Sequence, residues 1–280
     1  MHVVSDVADV RSTRWAEADL SWGLVPTMGF LHEGHLDLVR RARQENARVG
    51  VSIFVNPTQF GDAEDLLHYP RNLESDLDLL RAADVDLVWT PTAQTVYPGG
   101  FQSYVSVEEM SRTLEGASRP GHFRGVTTVV SILFNVFQPT RAYFGQKDAQ
   151  QVAVLRRMVG DLRFNLDLVV CPTRREPDGL AMSSRNVRLS PAARVQASCL
   201  YRGLQAARVA LDRGERSADR LRAIITDIVE AEPLARVDYV SAASATTLTE
   251  LDRAQLPLLL SLAVHLDGVR LIDNLQIEEW

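Results

Sequence analysis

Two histidines three residues apart, His32 and His35, close a loop that reads Pro26-Thr27-Met28-Gly29-Phe30-Leu31-His32-Glu33-Gly34-His35. An imidazole can donate to a phosphate as charge builds on it, and it changes protonation near neutral pH. The loop follows the apolar run Trp22 to Val25 and leads into a helical pattern. Backbone N–H groups at a helix N-terminus, together with the helix dipole, favour anions. Strand, glycine loop and helix start therefore predict a phosphate site. The spacing i, i+3 puts both imidazoles on one helix face. Zinc is the competing chemistry for paired histidines. It asks for three or four ligands at short spacing, and Cys171 and Cys199 lie far away in no such pattern. Activation of a nucleotide is the reading that uses the whole loop.

Three further stretches carry unusual chemistry. Asn56-Pro57-Thr58-Gln59-Phe60-Gly61 offers neutral amides that donate and accept at once, which suits a substrate bearing hydroxyl and carboxylate; an ordinary polar turn has the same composition. Gly145-Gln146-Lys147-Asp148 opens a helix directly after a strand. Lys147 can act there as a point charge on phosphate, Asp148 can cap the helix or hold a ribose hydroxyl, and Gln151 lies one turn later on the same face. Asp178 to Asn186 sets Ser183 and Ser184 beside Arg185, which suits a phosphate clamp and equally a serine-rich linker. Between these, Glu115 to Gly125 holds three glycines, Arg119, Arg124 and His122. That mixture of hinge residues and anion binders predicts a mobile cover, or else a solvated loop.

The elements that must position these residues alternate. Strands are expected at Trp22 to Val25, Arg48 to Val55, Asp86 to Trp89, Ala142 to Phe144 and Phe164 to Val170. Helices are expected over Gly34 to Asn46, Leu73 to Ala83, Val126 to Phe137 and about Asp148 to Val159. Such alternation predicts an α/β fold, a Rossmann-like doubly wound parallel sheet, with ligands beyond the carboxyl ends of its strands. The loops after three strands, Thr27 to His35, Asn56 to Gly61 and Gly145 to Asp148, are expected at that edge. Past Val170 the texture changes to a polar loop, two helices and three strands, with Asp267-Gly268 as a hairpin turn. A smaller α+β domain is expected there, the division being 1–173 and 174–280.

Composition excludes several classes. Net charge is −6 and pI near 5.6, which argues against a broad basic surface for nucleic acid. Residues 1–20 are mixed and charged, unlike a signal peptide, and no run reaches the ~18 apolar residues of a membrane span. Two unrelated cysteines fit free thiols in a reducing compartment, so a cytoplasmic protein is expected, with no membrane and no nucleic-acid partner.

The loop through His35 resembles that of the adenylate-forming nucleotidyltransferases. The full set resembles the pantothenate synthetase family in order and spacing. It comprises Thr27 to His35, Ser52 to Phe60, Tyr69-Pro70-Arg71, Glu115 to Gly125, Phe144 to Asp148, Ser183 to Asn186 and the closing Arg270-Leu271-Ile272-Asp273-Asn274. The resemblance implies a ligase that makes pantoyl adenylate from pantoate and ATP with magnesium, then passes the acyl group to β-alanine. It implies ATP contacts at Met28, Gly29, Phe30, Leu31, His32, Glu33, Gly34 and His35, at Gly145, Gln146, Lys147 and Asp148, and at Arg174, Met182, Ser183, Ser184 and Arg185. Catalysis would fall to His35 as proton donor, with His32, Lys147, Ser183, Ser184 and Arg185. Gln59 and Gln151 would grip pantoate, with Gln59 also near β-alanine, and Arg119 and His122 would belong to the cover.

Two departures stand out. Arg174 replaces a usually apolar residue at the adenine edge. Ser75 stands where an acidic residue is suggested to help magnesium in some relatives, leaving Asp76. No protein metal ligand is therefore expected, and Mg2+ would arrive on the ATP phosphates. The family is usually a homodimer. Two other readings compete. A transferase of AMP to a phosphate acceptor would want a basic acceptor site, where this chain offers Asn56 and Gln59. A non-catalytic nucleotide-binding protein would not need Lys147, two serines and two histidines together.

Overall fold

The computed structural model describes residues 1–61 and 63–280. They divide into two compact units, Met1–Gly145 with Val154–Pro172, and Gln146–Ala153 with Thr173–Trp280. Segment 146–153 was expected with the first domain. It groups with the second because Asn274 donates to the backbone carbonyls of Gln146 and Lys147.

The first unit is built on six parallel strands: β1 (His2–Val4), β2 (Trp22–Thr27), β3 (Arg48–Ile53), β4 (Leu87–Trp89), β5 (Arg141–Gly145) and β6 (Asp167–Cys171). Their order is β1-β4-β3-β2-β5-β6. The inner strands read as continuous apolar runs because parallel strands are covered on both faces. The longer helices of this unit are α1 (Val7–Ala16), α2 (Glu33–Glu45), α3 (Leu73–Ala82) and α4 (His122–Phe137). Val25, Val49, Val51 and Val88 pack with Leu38, Val39 and Ala42 of α2 and Leu80 of α3. On the other face Phe137 of α4 meets Trp89 edge to face, centroids 6.1 Å apart. The chain runs outward through β3 and β4, then returns to place β5 on the far side of β2. That reversal makes the β2–β5 boundary the topological switch point, where open α/β sheets bind ligands.

Helix α5 (Ala149–Asp161) follows β5 and a 3-10 turn at Gln146–Asp148. The second unit has helices α6 (Cys199–Asp212) and α7 (Ala218–Glu230) and an antiparallel sheet of β7 (Ala235–Ser244), β8 (Leu258–Leu266) and β9 (Val269–Ile277) in that order. Leu200, Leu204, Leu221 and Ile225 form its core with Leu258, Leu260, Leu262 and Val264. Asp267 and Gly268 both take positive φ, 49° and 81°, as a two-residue hairpin turn requires.

Several elements differ from expectation. β1 and α1 lie in the segment whose mixed composition predicted no element. β1 is three residues long, too short to show a period, and is held as an edge strand on β4. β7 and β9 run longer than their apolar stretches, since antiparallel pairing to β8 carries polar residues along. Helix α4 starts at His122, four residues early, after a left-handed Gly121. Gly125 thus sits inside the helix. A Cβ there would lie 2.4 Å from the Thr58 carbonyl oxygen, so only glycine lets this helix approach the 57–59 turn.

Candidate functional site

The glycine loop leaves the carboxyl end of β2 with Gly29 at φ 82° and Phe30 at φ 52°. This tight path turns the Phe30 and Leu31 N–H groups onto one carboxylate. Asp76 of α3, 2 % exposed, accepts from Phe30 at 2.8 Å through Oδ2 and from Leu31 at 2.7 Å through Oδ1. A buried carboxylate is tolerable when hydrogen bonds to the charged form satisfy it. The acidic residue left in this segment is thus occupied as the loop's anchor. Sequence reasoning missed that role because the partners are backbone groups 45 and 46 residues away.

The two imidazoles do not share a helix face as expected. His32 is the N-cap of α2, in extended conformation, and His35 is its third helical residue. His32 Nδ1 accepts from Gly34 N–H at 3.1 Å, and His35 Nδ1 accepts from His32 N–H at 3.3 Å. The rings lie 4.0 Å apart at 38°. Histidines thus form a capping box, a motif usually built from Ser or Thr with Glu. A nitrogen that accepts from an amide carries no proton. With Nδ1 of each ring accepting, this geometry leaves Nε2 as the ring's donor.

Gln59 ends a 3-10 turn after β3, Pro57–Gln59, whose N-cap is Asn56. Asn56 is buried, and its Oδ1 accepts from Thr58 N–H at 3.3 Å, Thr58 Oγ1 at 2.9 Å and Tyr97 OH at 2.8 Å. Burial raises the Tyr97 phenol pKa, so it remains a donor at neutral pH. Asn56 Nδ2 donates to Gln59 Oε1 at 3.0 Å and to the Gly125 carbonyl at 3.2 Å. Gln59 Nε2 in turn reaches Met28 Sδ at 3.1 Å. The glycine loop and the amide turn thereby meet at Met28 and Gln59. Tyr97 carried no motif and was not foreseen.

Arg119 and His122, expected in a mobile cover, both reach the backbone carbonyl of Gln59. His122 is buried at the start of α4, and its Nδ1 lies 2.7 Å from the Gln59 carbonyl oxygen, to which it must donate. Arg119 Nη2 donates to the same oxygen at 3.3 Å, and its Nη1 lies 3.4 Å from His122 Nε2. Helix entry at Gly121 brings His122 to the Gln59 carbonyl.

The second unit carries its own set. Gln146 to Asp148 form the 3-10 turn, with Lys147 Nζ 3.9 Å from Asp148 Oδ1. Gln151 lies in the first turn of α5. Met182 N–H donates to the Arg174 carbonyl at 2.9 Å, so these two residues, expected at one nucleotide, are backbone neighbours. Ser183 caps the short turn Ser184–Arg188 by accepting from Arg185 N–H at 3.2 Å, and Ser184 is buried. Arg194 pairs with Glu176 at 2.7 Å and with Asp178, bracing the loop that leads to these serines.

The sequence profile of the family described as pantoate-beta-alanine ligase matches residues 2–276. A pantothenate synthetase of Roseiflexus castenholzii is 55% identical over 278 residues, covering 99% of this chain and 100% of that protein. Among solved structures, pantothenate synthetase from Thermus thermophilus superposes with a TM-score of 0.95 at 46% identity, each chain covered completely. Pantoate-beta-alanine ligase from Francisella tularensis, complexed with beta-gamma ATP and beta-alanine, gives 0.81 at 34% identity, covering 99% of this chain and 97% of its own.

Proposed function

The chain belongs to the pantoate-beta-alanine ligase family, and from that premise we propose that it joins pantoate to β-alanine in two steps driven by ATP. In the first step a pantoate carboxylate oxygen attacks the α-phosphorus and pyrophosphate leaves. In the second the β-alanine amine attacks the acyl carbon, AMP leaves, and the amine loses its proton. The products are pantothenate and AMP.

The observation that carries this reading is the histidine capping box at the N-terminus of α2, with Nδ1 of each ring taken up by a backbone N–H, on the loop that meets Gln59. Charge grows on phosphate oxygens in the first step. Fixed donors aimed there stabilise the transition state without reorganising. His32 and His35 donate from Nε2, and Met28 to His35 line the nucleotide. Lys147 contributes a compact charge, supported by Ser183, Ser184 and Arg185, with Gly145, Gln146, Asp148, Arg174 and Met182 on the nucleoside side. Gln59 and Gln151 hold pantoate by hydroxyl and carboxylate. Gln59 is preset for this by Asn56, by its own carbonyl's bonds to Arg119 and His122, and by the close approach of Gly125.

Magnesium enters as the counterion of ATP. The working form is a cytoplasmic homodimer, as the family resemblance implies. Among the described residues no helix is long and apolar enough to cross a membrane.

The test is pyrophosphate release from ATP and magnesium. Limited release with pantoate alone, becoming sustained release with AMP and pantothenate when β-alanine is added, is expected. A folded, ATP-binding sample that releases none under either condition overturns the reading.

A further inference from the structure

The closing motif Arg270 to Asn274 has no part in the chemistry above, yet two adjacent polar residues of it are buried. Asp273 is 2 % exposed and Asn274 4 %. They sit on β9, the edge strand of the antiparallel sheet, where successive side chains point to opposite faces. On one face Asn274 Nδ2 donates to the carbonyls of Gln146 at 2.9 Å and Lys147 at 2.8 Å. Its Oδ1 accepts from Gln146 Nε2 at 3.3 Å. Both amide hydrogens are committed to the turn that carries Lys147.

On the other face Asp273 takes Arg175 in a two-toothed pair, at 2.6 Å and 2.9 Å, and its Oδ1 also accepts Asn274 N–H at 2.8 Å. Arg175 continues to the Gly179 carbonyl at 3.0 Å and stacks over Tyr201, 4.1 Å from its ring centre. It bridges to Ala181 through the backbone, beside the Arg174–Met182 bond. The 174–182 hairpin so held runs directly into Ser183, Ser184 and Arg185. One dipeptide therefore holds the Lys147 turn by one side chain and the serine-arginine loop by the next.

A buried ion pair is a poor source of stability, because desolvation offsets the Coulomb gain. A buried amide that uses both donors and its acceptor is demanding in geometry. Such groups are better suited to fixing relative position. We propose that Asp273 and Asn274 are positioning residues for adenylation, setting Lys147 and the Ser183–Arg185 segment in one frame. The inference rests on the proposed function and deepens it, since neither residue is among those assigned to substrates.

The experiment is a double-mutant cycle in the full chain. Asn274→Asp keeps size but sets a carboxylate against two carbonyls; Asp273→Asn removes the charge that holds Arg175. Pantoate-dependent exchange of labelled pyrophosphate into ATP reads adenylation. Each single variant should slow it about 100-fold, the scale of an ångström's misplacement of a catalytic group. Combined with Lys147→Ala, Asn274→Asp should add less than about threefold to the loss caused by Lys147→Ala alone, because Asn274 acts through Lys147. A residue that only supports folding would instead multiply the two losses, and that result overturns the inference. If Asn274→Asp does not fold, Asn274→Ala leaves the carbonyls unpaired without repelling them and carries the same cycle. Active wild type with multiplying effects sinks this inference alone. Wild type without exchange removes the proposed function and this inference with it.

Discussion

His35 accepts the backbone N–H of His32 through Nδ1 at 3.3 Å, with the two rings 4.0 Å apart. One contact thus does two jobs. It caps α2, satisfying a donor that a helix start leaves over, and it sets a ring tautomer.

The reciprocal contact, Gly34 N–H to His32 Nδ1 at 3.1 Å, does the same for His32, and there the two jobs can be separated. His32→Asp keeps a good N-cap acceptor but has nothing to donate. Its stability should match the parent's, while His32→Ala loses about 1 kcal/mol, the usual worth of a cap. Pantoate-dependent pyrophosphate exchange should fall about 100-fold in both, the scale of one lost oxyanion donor. Normal exchange by His32→Asp would mean that capping is all this residue does.

Asp76→Ala should disturb the same loop from behind. It removes the acceptor of the part-buried Phe30 and Leu31 N–H groups, at a total of about 1–3 kcal/mol. The loss should appear as a lower melting temperature and a higher KM for ATP. The KM for β-alanine in the second step should stay near that of the parent. If ATP affinity is unchanged while stability falls, the anchor serves the fold alone.

Gln59→Ala and Asn56→Ala should behave alike, because Asn56 donates to Gln59 Oε1. Both should raise the KM for pantoate, Gln59→Ala with little effect on melting and Asn56→Ala with a cost of about 1–3 kcal/mol for its buried partners. Isothermal titration with ATP should show near-parental affinity. Equal weakening of ATP and pantoate would remove Gln59 from the pantoate site.

Gly125→Ala adds a Cβ 2.4 Å from the Thr58 carbonyl oxygen, so helix and turn must part. The expected cost is about 1–3 kcal/mol, as for other overpacking, with a raised pantoate KM. A melting curve and pantoate KM that match the parent would show that the turn yields freely and does not preset Gln59.

Acid should weaken the loop that leads to Ser183. The Arg194 hydrogen bond holds the Asp178 carboxyl below its ordinary value. A carboxylate with a lowered folded pKa contributes stability that is complete above the unfolded value of about 3.9 and is lost as pH falls through the folded one. Melting temperatures from about pH 2.5 to 7 should therefore converge for the parent and Arg194→Ala at the acid end and separate above about pH 4. Parallel curves across that range would contradict the pairing.

Much of this was legible in the sequence. Apolar runs such as Arg48 to Val55 and the Asp267-Gly268 turn foretold strands and hairpin because they depend on local period and local φ. Gly-Gln-Lys-Asp after β5 was readable for the same reason. Phe164 to Val170 was placed early, since the strand begins at Asp167, where pairing with Arg141 starts. The histidine pair was recognised, but its geometry was not. Helical spacing put both rings on one face, whereas His32 lies before the helix, where a cap's extended backbone replaces helical spacing.

Residue types and spacing by themselves determined the α/β class and the family, because both are written in short stretches of chain. Tertiary structure alone decided what holds those stretches in place. Asp76 reaches the loop from α3, Gly125 admits the 57–59 turn, and His122 meets the Gln59 carbonyl. Asp273 and Asn274 tie down two segments about a hundred residues or more earlier in the chain. The partners in these contacts are mostly backbone carbonyls and amides. Every residue carries those groups, so no side-chain pattern can announce which of them a fold will bring together.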